Sequence, residues 1–292
     1  LLHGMTTPAE APLTAVPYVD PDRRARDRRR GRRDGLIASL STVVVFAVLA
    51  YLVTATPGWP AVKETFFNWD EAVAAWPTLV RAFALNIKIF LIAEVCILIL
   101  SLLIALGRGL RAPVALPVRI LCTMYVDFFR GVPTILVILL LGFGVPALQL
   151  TGVTNSPVVW GTVALILSYT AYVAEVYRAG IESIHPSQRA AARSLGLSSL
   201  QTTRYVVLPQ AVRRVLPPLL NDFIALQKET ALVSLLGPIE ILRAAQISAS
   251  SNFNYTPYVV AALFFVAITL PLTRFTDWLQ KRDARRRMAG MP

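Results

Sequence analysis

The residues that first suggest chemistry are ionisable side chains inside long apolar stretches of this 292-residue chain. Glu94 lies near the middle of one such stretch, and Lys88 lies about two helical turns before it. A charge at the centre of a membrane helix costs about 2.5–3.5 kcal/mol on insertion scales, so it needs a reason. Glu94 either contacts an ammonium-bearing ligand or is protonated or paired within a helical bundle. We slightly prefer the second interpretation, because one sequence does not orient the helix.

Two acid–base pairs have a spacing of three residues, which places both members on one helix face. Asp127 precedes Arg130, and Glu175 precedes Arg178. Such pairs can form salt bridges within a helix. We interpret both pairs as fixing helix ends and a gate, and direct contact with a ligand is the alternative.

Further polar residues lie close to or within apolar segments. Lys228 stands beside Glu229 and Thr230, and a lysine–carboxylate arrangement within one helix is the simplest interpretation. Asn86 and Asn221 can form hydrogen bonds between helices, and we expect a packing role for both.

The elements that must position these residues are apolar helices. Hydrophobic residues make up 55% of the chain, charged residues make up 16%, and the mean hydropathy is +0.57. This composition excludes a soluble globule, which carries about 25% charged residues, and a disordered chain. We predict an all-α integral membrane protein, a polytopic helical bundle. The six candidate spans are residues 36–54, 78–106, 118–146, 157–178, 222–246 and 257–277.

Positive charge is distributed unevenly between the segments that connect these spans. The net charge is +12, and 23 of the 29 lysines and arginines lie in residues 1–35, 107–119, 178–221 and 274–287. Cytoplasmic segments of membrane proteins are rich in lysine and arginine, so we place both termini in the cytoplasm. We interpret residues 1–35 as a disordered basic tail, residues 36–54 as an uncleaved anchor and residues 281–292 as a second basic tail. The excess charge does not by itself indicate nucleic acid.

Residues 183–208 form a patterned segment within the longest of the predicted cytoplasmic loops. Pro186 can begin a helix that ends in a left-handed cap at Gly196. Ser198 can cap a second helix, which we expect to end at Leu208–Pro209. On physical grounds alone, two interpretations of this segment are about equally supported. It is either an amphipathic helix on the bilayer or a docking element for a cytoplasmic partner.

Other chemistries have little support in the sequence. Cys96 and Cys122 lie in apolar runs and are predicted to be small buried residues rather than a disulfide. His3 and His185 are isolated from other ligands, so we expect no metal site and no bound cofactor. No Gly-x-x-x-x-Gly-Lys-Ser/Thr phosphate loop occurs, so we do not expect this chain to bind ATP itself.

A series of motifs over about residues 78–280 closely resembles the permease subunits of ATP-binding cassette (ABC) transporters, in the polar amino acid uptake family. The matching positions of the long loop and the following span are Gln188, Ala191, Ala192, Leu195, Gly196, Leu208, Pro209, Gln210, Ala211, Pro217, Pro218, Asn221, Lys228, Thr230 and Leu232. Upstream matches are Phe129-Arg130-Gly131, Pro133, Ala171, Tyr172, Glu175, Arg178 and Gly180. Because the motifs occur in the family's order and at matching spacing, the resemblance is specific, whereas any one motif alone would be weak evidence.

The resemblance implies a five-helix permease core at 78–280, with 36–54 as an extra N-terminal transmembrane helix and both termini inside. It implies a membrane-spanning subunit of an ATP-driven amino acid importer in a prokaryotic plasma membrane. The implied partners are an ATP-binding cassette dimer that holds ATP and Mg²⁺, a second identical or sister permease, an extracytoplasmic amino-acid-binding protein and membrane lipid, without nucleic acid.

The resemblance also implies roles for residues. The ATPase-coupling loop would comprise Gln188, Ala190, Ala191, Ala192, Arg193, Leu195, Gly196, Leu208 and Pro209. Candidates for the translocation path or gate are Glu94, Asp127, Arg130, Glu175, Arg178, Lys228 and Thr230.

The sequence departs from the family pattern at three positions. Ala190 replaces a glutamate that helps to hold the ATPase, Val132 replaces a threonine, and Ala231 replaces a serine. The first departure affects one polar contact rather than the role of the loop.

Two other classes of function remain as alternatives. A stand-alone secondary transporter or channel predicts inverted repeats and broken helices with ion sites at the membrane midplane. No convincing repeat is visible, and the large loop would have no purpose in such a protein. An integral-membrane enzyme needs a converging set of catalytic groups, which the cytoplasmic loop lacks.

Overall fold

The structure is a computed structural model that describes residues 21–110 and 112–289, and all elements within these ranges are helical. The α-helices are α1 (Pro21–Thr54), α2 (Trp59–Phe66), α3 (Trp69–Arg108), α4 (Leu116–Gly131), α5 (Thr134–Ala147), α6 (Pro157–Glu182), α7 (Pro186–Ser194), α8 (Ser199–Thr202), α9 (Leu208–Glu229), α10 (Ile241–Asn252) and α11 (Thr256–Ala289). The predicted all-α class is confirmed for the described residues. The chain divides into two compact units, residues 1–61 and 62–292.

The first unit contains α1, which begins at Pro21 rather than near residue 36. Residues 21–35 are therefore helical, in contrast to the predicted disordered tail, and residues 1–20 lie outside the described residues. Arginine is a good helix former and proline is tolerated in the first turn, which explains the earlier start. The apolar part, Arg33–Thr54, is long enough to cross a membrane.

The second unit contains three further long apolar helical segments, Trp59–Arg108, Pro157–Glu182 and Thr256–Arg282. With α1, the described residues therefore hold four helices of membrane-spanning length, or up to six spans if each of two bent pairs counts as one. Residues 55–77, which connect the first two predicted spans, are largely helical, because they contain α2 and the start of α3. Helix α11 also extends through most of the predicted tail 281–292, of which residues 290–292 lie outside the described residues.

The third predicted span is not a straight helix. Residues 113–131 and α5 are bent by 100° about Val132 and Pro133. Val132 is extended, with φ −96° and ψ 128°, because the ring of a following proline disfavours helical backbone. Residues 118–146 are therefore two helical arms rather than one rod.

The fifth predicted span, 222–246, is also broken. Helix α9 ends at Glu229, a 3-10 segment covers Thr230–Leu236, and α10 follows at an angle of 55°. Gly237 has φ +103°, which a residue with a Cβ rarely adopts, and Pro238 follows it. This Gly-Pro pair explains why the apolar pattern does not continue as one helix.

The helix signals at the start of the long loop are confirmed. Helix α7 begins at Pro186, and the ring of His185 accepts a hydrogen bond from the Ser187 backbone N–H at 3.2 Å. Gly196 has φ +85°. Ser198 forms a capping box with Gln201 at the start of α8.

The predicted helix end at Leu208–Pro209 is wrong. A π-helical segment, Thr203–Val207, connects α8 directly to α9, and Leu208 keeps helical backbone angles. Proline removes one backbone donor and clashes with the carbonyl four residues earlier, and the wider π-turn accommodates both effects. The side-chain amide of Gln210 also donates to the Val206 carbonyl at 3.0 Å.

Two apolar clusters hold the second unit together. The larger joins α3, α5, α6 and α9 through side chains that include Ile97, Ile138, Leu165 and Leu226. The smaller joins α3, α10 and α11. Helices α6 and α9 approach so closely at Gly180 that an added Cβ would lie 2.0 Å from a methyl group of Val215.

The two cysteines differ from the prediction in burial. Cys96 and Cys122 are half-buried rather than fully buried, and both are free thiols.

Candidate functional site

A buried group of polar residues fastens the break after α9 to α3, and we call Asn86, Thr230 and Glu240 the polar bracket. The Asn86 amide donates to the Glu240 carboxylate at 2.9 Å and to the Thr230 hydroxyl oxygen at 3.2 Å. The Asn86 oxygen accepts from the Ile241 backbone N–H at 3.1 Å. All three bracket side chains are at most 1% exposed. Buried polar groups need such partners, so the bracket fixes the broken helix in place.

Glu240 is also the N-cap of α10. Its carboxylate accepts the backbone N–H groups of Leu242 at 3.1 Å and Arg243 at 2.9 Å. The bonds of Asn86 confirm its predicted packing role. The predicted role of Thr230 in coupling or in the translocation path stays a prediction.

A group of acidic side chains lies between α3, α5, α6 and α9. Glu94 on α3 lies within electrostatic range of Asp222 on α9. Glu229, at the end of α9, lies beside Tyr169 of α6 and Thr134 of α5. Asp222 Oδ2 and Glu229 Oε2 are buried and have no hydrogen-bond partner among the described residues. These acids can attract a positively charged group to the interior of the bundle, and Glu94 retains both of its predicted interpretations.

An ionic cluster joins the ends of α3 and α6 that are predicted to be cytoplasmic. Arg108 Nη1 and Glu175 Oε2 are 2.8 Å apart. Arg178 pairs with both Glu175 and Glu182. The predicted bridge between Glu175 and Arg178 is therefore present, and Arg108 extends it to a second helix.

Other predicted residues do not join these groups. Asp127 and Arg130 are both exposed, and they do not form a salt bridge among the residues whose side chains the structure describes. Lys228 is exposed, although its neighbour Glu229 is half-buried. Asn221 is exposed as well, so the structure does not bear out a hydrogen bond to another helix.

The long loop exposes four apolar or aromatic side chains, Leu195, Leu200, Tyr205 and Leu208, which we call the α7–α8 surface. Leu195 is 83% exposed and Leu200 is 78% exposed. Ile184, Val207 and Ala211 form a small apolar cluster that anchors the loop.

The predicted loop residues divide by exposure. Ala192 is buried, whereas Gln188, Ala190, Ala191, Arg193, Leu195, Gly196, Leu208 and Pro209 are exposed.

Sequence reasoning missed Arg108, Asp222 and Glu240 as site residues. Asp222 and Glu240 fall inside the predicted fifth span, so the rule that singled out Glu94 would have found them. Arg108 entered only as part of the charge distribution, because no sequence pattern pairs it with Glu175. Among the described residues, no group of three histidine, cysteine, aspartate or glutamate side chains has an arrangement that could hold a metal ion.

Comparison with known protein families gives a match over residues 114–285. The matching family is described as the binding-protein-dependent transport system inner membrane component.

Several curated proteins are similar over most of their own length. The probable amino-acid permease protein YxeN of Bacillus subtilis (strain 168) is 31% identical over 220 residues, which are 73% of this chain and 95% of that protein. The glutamine transport system permease protein GlnP of Escherichia coli (strain K12) is 30% identical over 217 residues, which are 74% of this chain and 97% of that protein.

Solved structures are similar as well. A chain of a crystal structure of an amino acid ABC transporter with histidines is 32% identical, with a TM-score of 0.65 over 72% of this chain and 96% of that chain. A chain of the MetNI methionine ABC transporter in an inward-facing conformation has a TM-score of 0.54 over 70% of this chain and 95% of that chain. Its identity of 16% shows similarity of fold alone.

Proposed function

Because the chain belongs to the family of binding-protein-dependent transport system inner membrane components, we propose that it is the membrane-spanning permease subunit of an ATP-driven amino acid importer. The observation that carries the proposal is the match to an amino acid ABC transporter chain over 96% of that chain's length. The curated relatives are amino acid permeases and add support from sequence.

The protein is proposed to be a multi-pass protein of a prokaryotic plasma membrane with six spans and both termini in the cytoplasm. Four long apolar helical segments and two bent pairs support this count. The orientation follows from the distribution of lysine and arginine, since 23 of 29 lie in the four predicted cytoplasmic segments. Five spans would form the permease core, and α1 would be the additional one.

ATP hydrolysis is assigned to a separate ATP-binding subunit, present as a dimer that holds ATP and Mg²⁺. The absence of a phosphate-loop motif from the sequence supports this division of labour. The proposed docking site is the α7–α8 surface, because exposed apolar side chains such as Leu195 and Leu200 favour contact with another protein.

Two further protein partners complete the proposed assembly. A second permease chain, identical or a sister, would complete the path across the membrane. An extracytoplasmic amino-acid-binding protein would deliver the substrate to the outer mouth.

Transport would follow alternating access. Closure of the ATPase dimer would move α7 and α8, and the continuous helix from Ser199 to Glu229 would carry this motion towards the polar bracket. Each nucleotide state would favour one of two bundle conformations. We propose that Glu94 lines the path and that the cluster of Arg108, Glu175 and Arg178 closes its cytoplasmic end.

The experiment is to reconstitute the chain with its ATPase subunit in liposomes and to measure ATP hydrolysis with and without the amino-acid-loaded binding protein. We expect stimulation in the complete system. Leu195→Glu should remove the stimulation and the co-purification of the ATPase, because it places a charge in the docking surface.

The matched control is Leu148→Glu, which alters an exposed leucine at the end of α5 and should preserve the co-purification of the ATPase. ATP hydrolysis that ignores both this chain and the loaded binding protein would contradict the importer. Stimulation that survives Leu195→Glu would remove Leu195 from the docking surface.

A further inference from the structure

Arg243 is a half-buried basic side chain in the first turn of α10, within the predicted fifth span. It follows Glu240 by three residues, and Glu240 is bonded to Asn86 near the middle of the 40-residue α3. Asn86 lies within the predicted span at 78–106, so Arg243 belongs to the part of the bundle that is predicted to lie within the membrane. Ionisable residues at such depth face the bundle interior or a water-filled cavity, because exposure to lipid tails is costly.

Arg243 lines a pocket of about 440 Å³ together with Gln246, Tyr258 and Ser234. Two leucines, Leu235 and Leu242, supply its apolar wall. The volume lies within the range of roughly 300–1,000 Å³ that is typical of small-molecule sites. An apolar wall with a few convergent polar groups is also the usual lining of such sites.

The guanidinium of Arg243 is held in position without being neutralised. Its Nη1 donates to Gln246 Oε1 at 2.7 Å. No salt bridge among the side chains that the structure describes includes Arg243. The nearest acid in sequence, Glu240, already accepts hydrogen bonds from the Asn86 amide and from two backbone N–H groups. The pocket therefore presents a positive charge with free donors.

We propose that Arg243 binds the carboxylate of the transported amino acid, with Gln246 as a positioning residue and the Tyr258 hydroxyl as a second donor. The inference rests on the proposed function and assigns a substrate contact within it. The planar guanidinium matches a carboxylate with two parallel hydrogen bonds. Since every amino acid carries this carboxylate, the contact recognises the common part of the substrate and leaves side-chain selection to other residues.

The test uses the complex of this chain with its ATPase subunit in lipid nanodiscs, without the binding protein. Binding of tritiated arginine, glutamine, glutamate and histidine is measured, and the amino acid that binds best is compared with its decarboxylated amine. We expect the wild type to prefer the amino acid. Arg243→Gln should weaken amino acid binding about tenfold or more and leave amine binding unchanged. Arg243→Lys should lie in between.

Further variants keep the test decisive if Arg243→Gln fails to assemble. Tyr258→Phe removes only a hydroxyl, and Gln246→Ala removes the group that holds the guanidinium, so each should reduce the preference several-fold. The matched control is Arg274→Gln, which removes an exposed arginine of α11 and should leave the preference unchanged.

The proposal is overturned if Arg243→Gln keeps the full preference for the amino acid, or if the wild type binds none of the four. It is also overturned if amino acid binding is unchanged while binding of labelled phosphatidylglycerol falls, since the pocket would then hold a lipid headgroup. Stimulation of ATP hydrolysis by the loaded binding protein separates the two hypotheses. If the wild type shows no stimulation, the importer hypothesis itself is contradicted. If stimulation is present, only the proposed role of Arg243 is contradicted.

Discussion

At the scale of single residues, Asn86 stabilises the fold through several hydrogen bonds to residues that are distant in sequence. Its amide group contacts Thr230, Glu240 and the backbone of Ile241, which belong to three successive parts of a broken span. A carboxylate such as Glu240 is tolerated at complete burial only when its oxygens are bonded. Asn86 and the N-terminal N–H groups of α10 meet that need.

We predict that Asn86→Ala lowers the free energy of unfolding by about 2 kcal/mol or more. The variant leaves the buried Ile241 N–H without its partner and removes one of the three hydrogen bonds that the buried Glu240 carboxylate accepts. Thermal unfolding of the purified protein in detergent measures the effect. Asn221→Ala is the matched control, because Asn221 is exposed and its loss should cost at most about 0.5 kcal/mol. Equal melting temperatures for the two variants would contradict a stabilising bracket.

At the scale of elements, the two bent spans are the features that place polar groups inside the bundle. Each bend occurs at a proline, Pro133 or Pro238, and each interrupts the backbone hydrogen bonds of a helix. Irregular backbone at membrane depth is tolerated only where protein or a water-filled cavity surrounds it. The bend after α9 accordingly adjoins the polar bracket and the Arg243 pocket.

The close approach of α6 and α9 gives a prediction at this scale. Gly180→Ala should destabilise the protein by about 1–3 kcal/mol, because its Cβ would overlap a methyl group of Val215. Adding Val215→Ala removes that overlap, so the double variant should be more stable than the sum of the two single effects. Thermal unfolding of the four proteins measures this coupling.

Gly144→Ala is the matched control for the glycine substitution, since nothing lies within 4 Å of the added Cβ. Alanine favours a helix over glycine, so this variant should not destabilise. If the stability changes of Gly180→Ala and Val215→Ala are purely additive, the predicted steric overlap between the two residues is contradicted.

At the scale of the whole molecule, the distribution of lysine and arginine is the main evidence for the orientation of the chain in the membrane. In the proposed topology, the predicted basic segments lie on the cytoplasmic side and the connection at 148–156 lies on the outer side. The same topology places the α7–α8 surface on the cytoplasmic side, where a soluble ATPase would bind.

Orientation is tested with single cysteines in a protein whose Cys96 and Cys122 are replaced by alanine. Asn155→Cys should react with a membrane-impermeant maleimide added to intact spheroplasts. Gln201→Cys should react only after permeabilisation, because it belongs to the proposed cytoplasmic surface. Both positions are exposed, so a difference in labelling between them would not result from burial within the protein. The opposite labelling pattern would contradict the proposed topology.

The sequence by itself determined the helical class, the approximate membrane segments, the two loop helices and the family resemblance. These depend on local composition, caps and ordered motifs, which a chain carries before it folds. It also paired Glu175 with Arg178, because three residues along a helix bring side chains together.

Only the tertiary structure decided which distant side chains meet. Asn86 and Glu240 are separated by 154 positions, and Arg108 and Glu175 by 67, so no local rule joins either pair. The structure also turned two apparently continuous spans into bent pairs and carried one helix past Pro209 through a π-turn. Packing between helices decides such outcomes, because it fixes which backbone breaks are compensated by neighbouring groups.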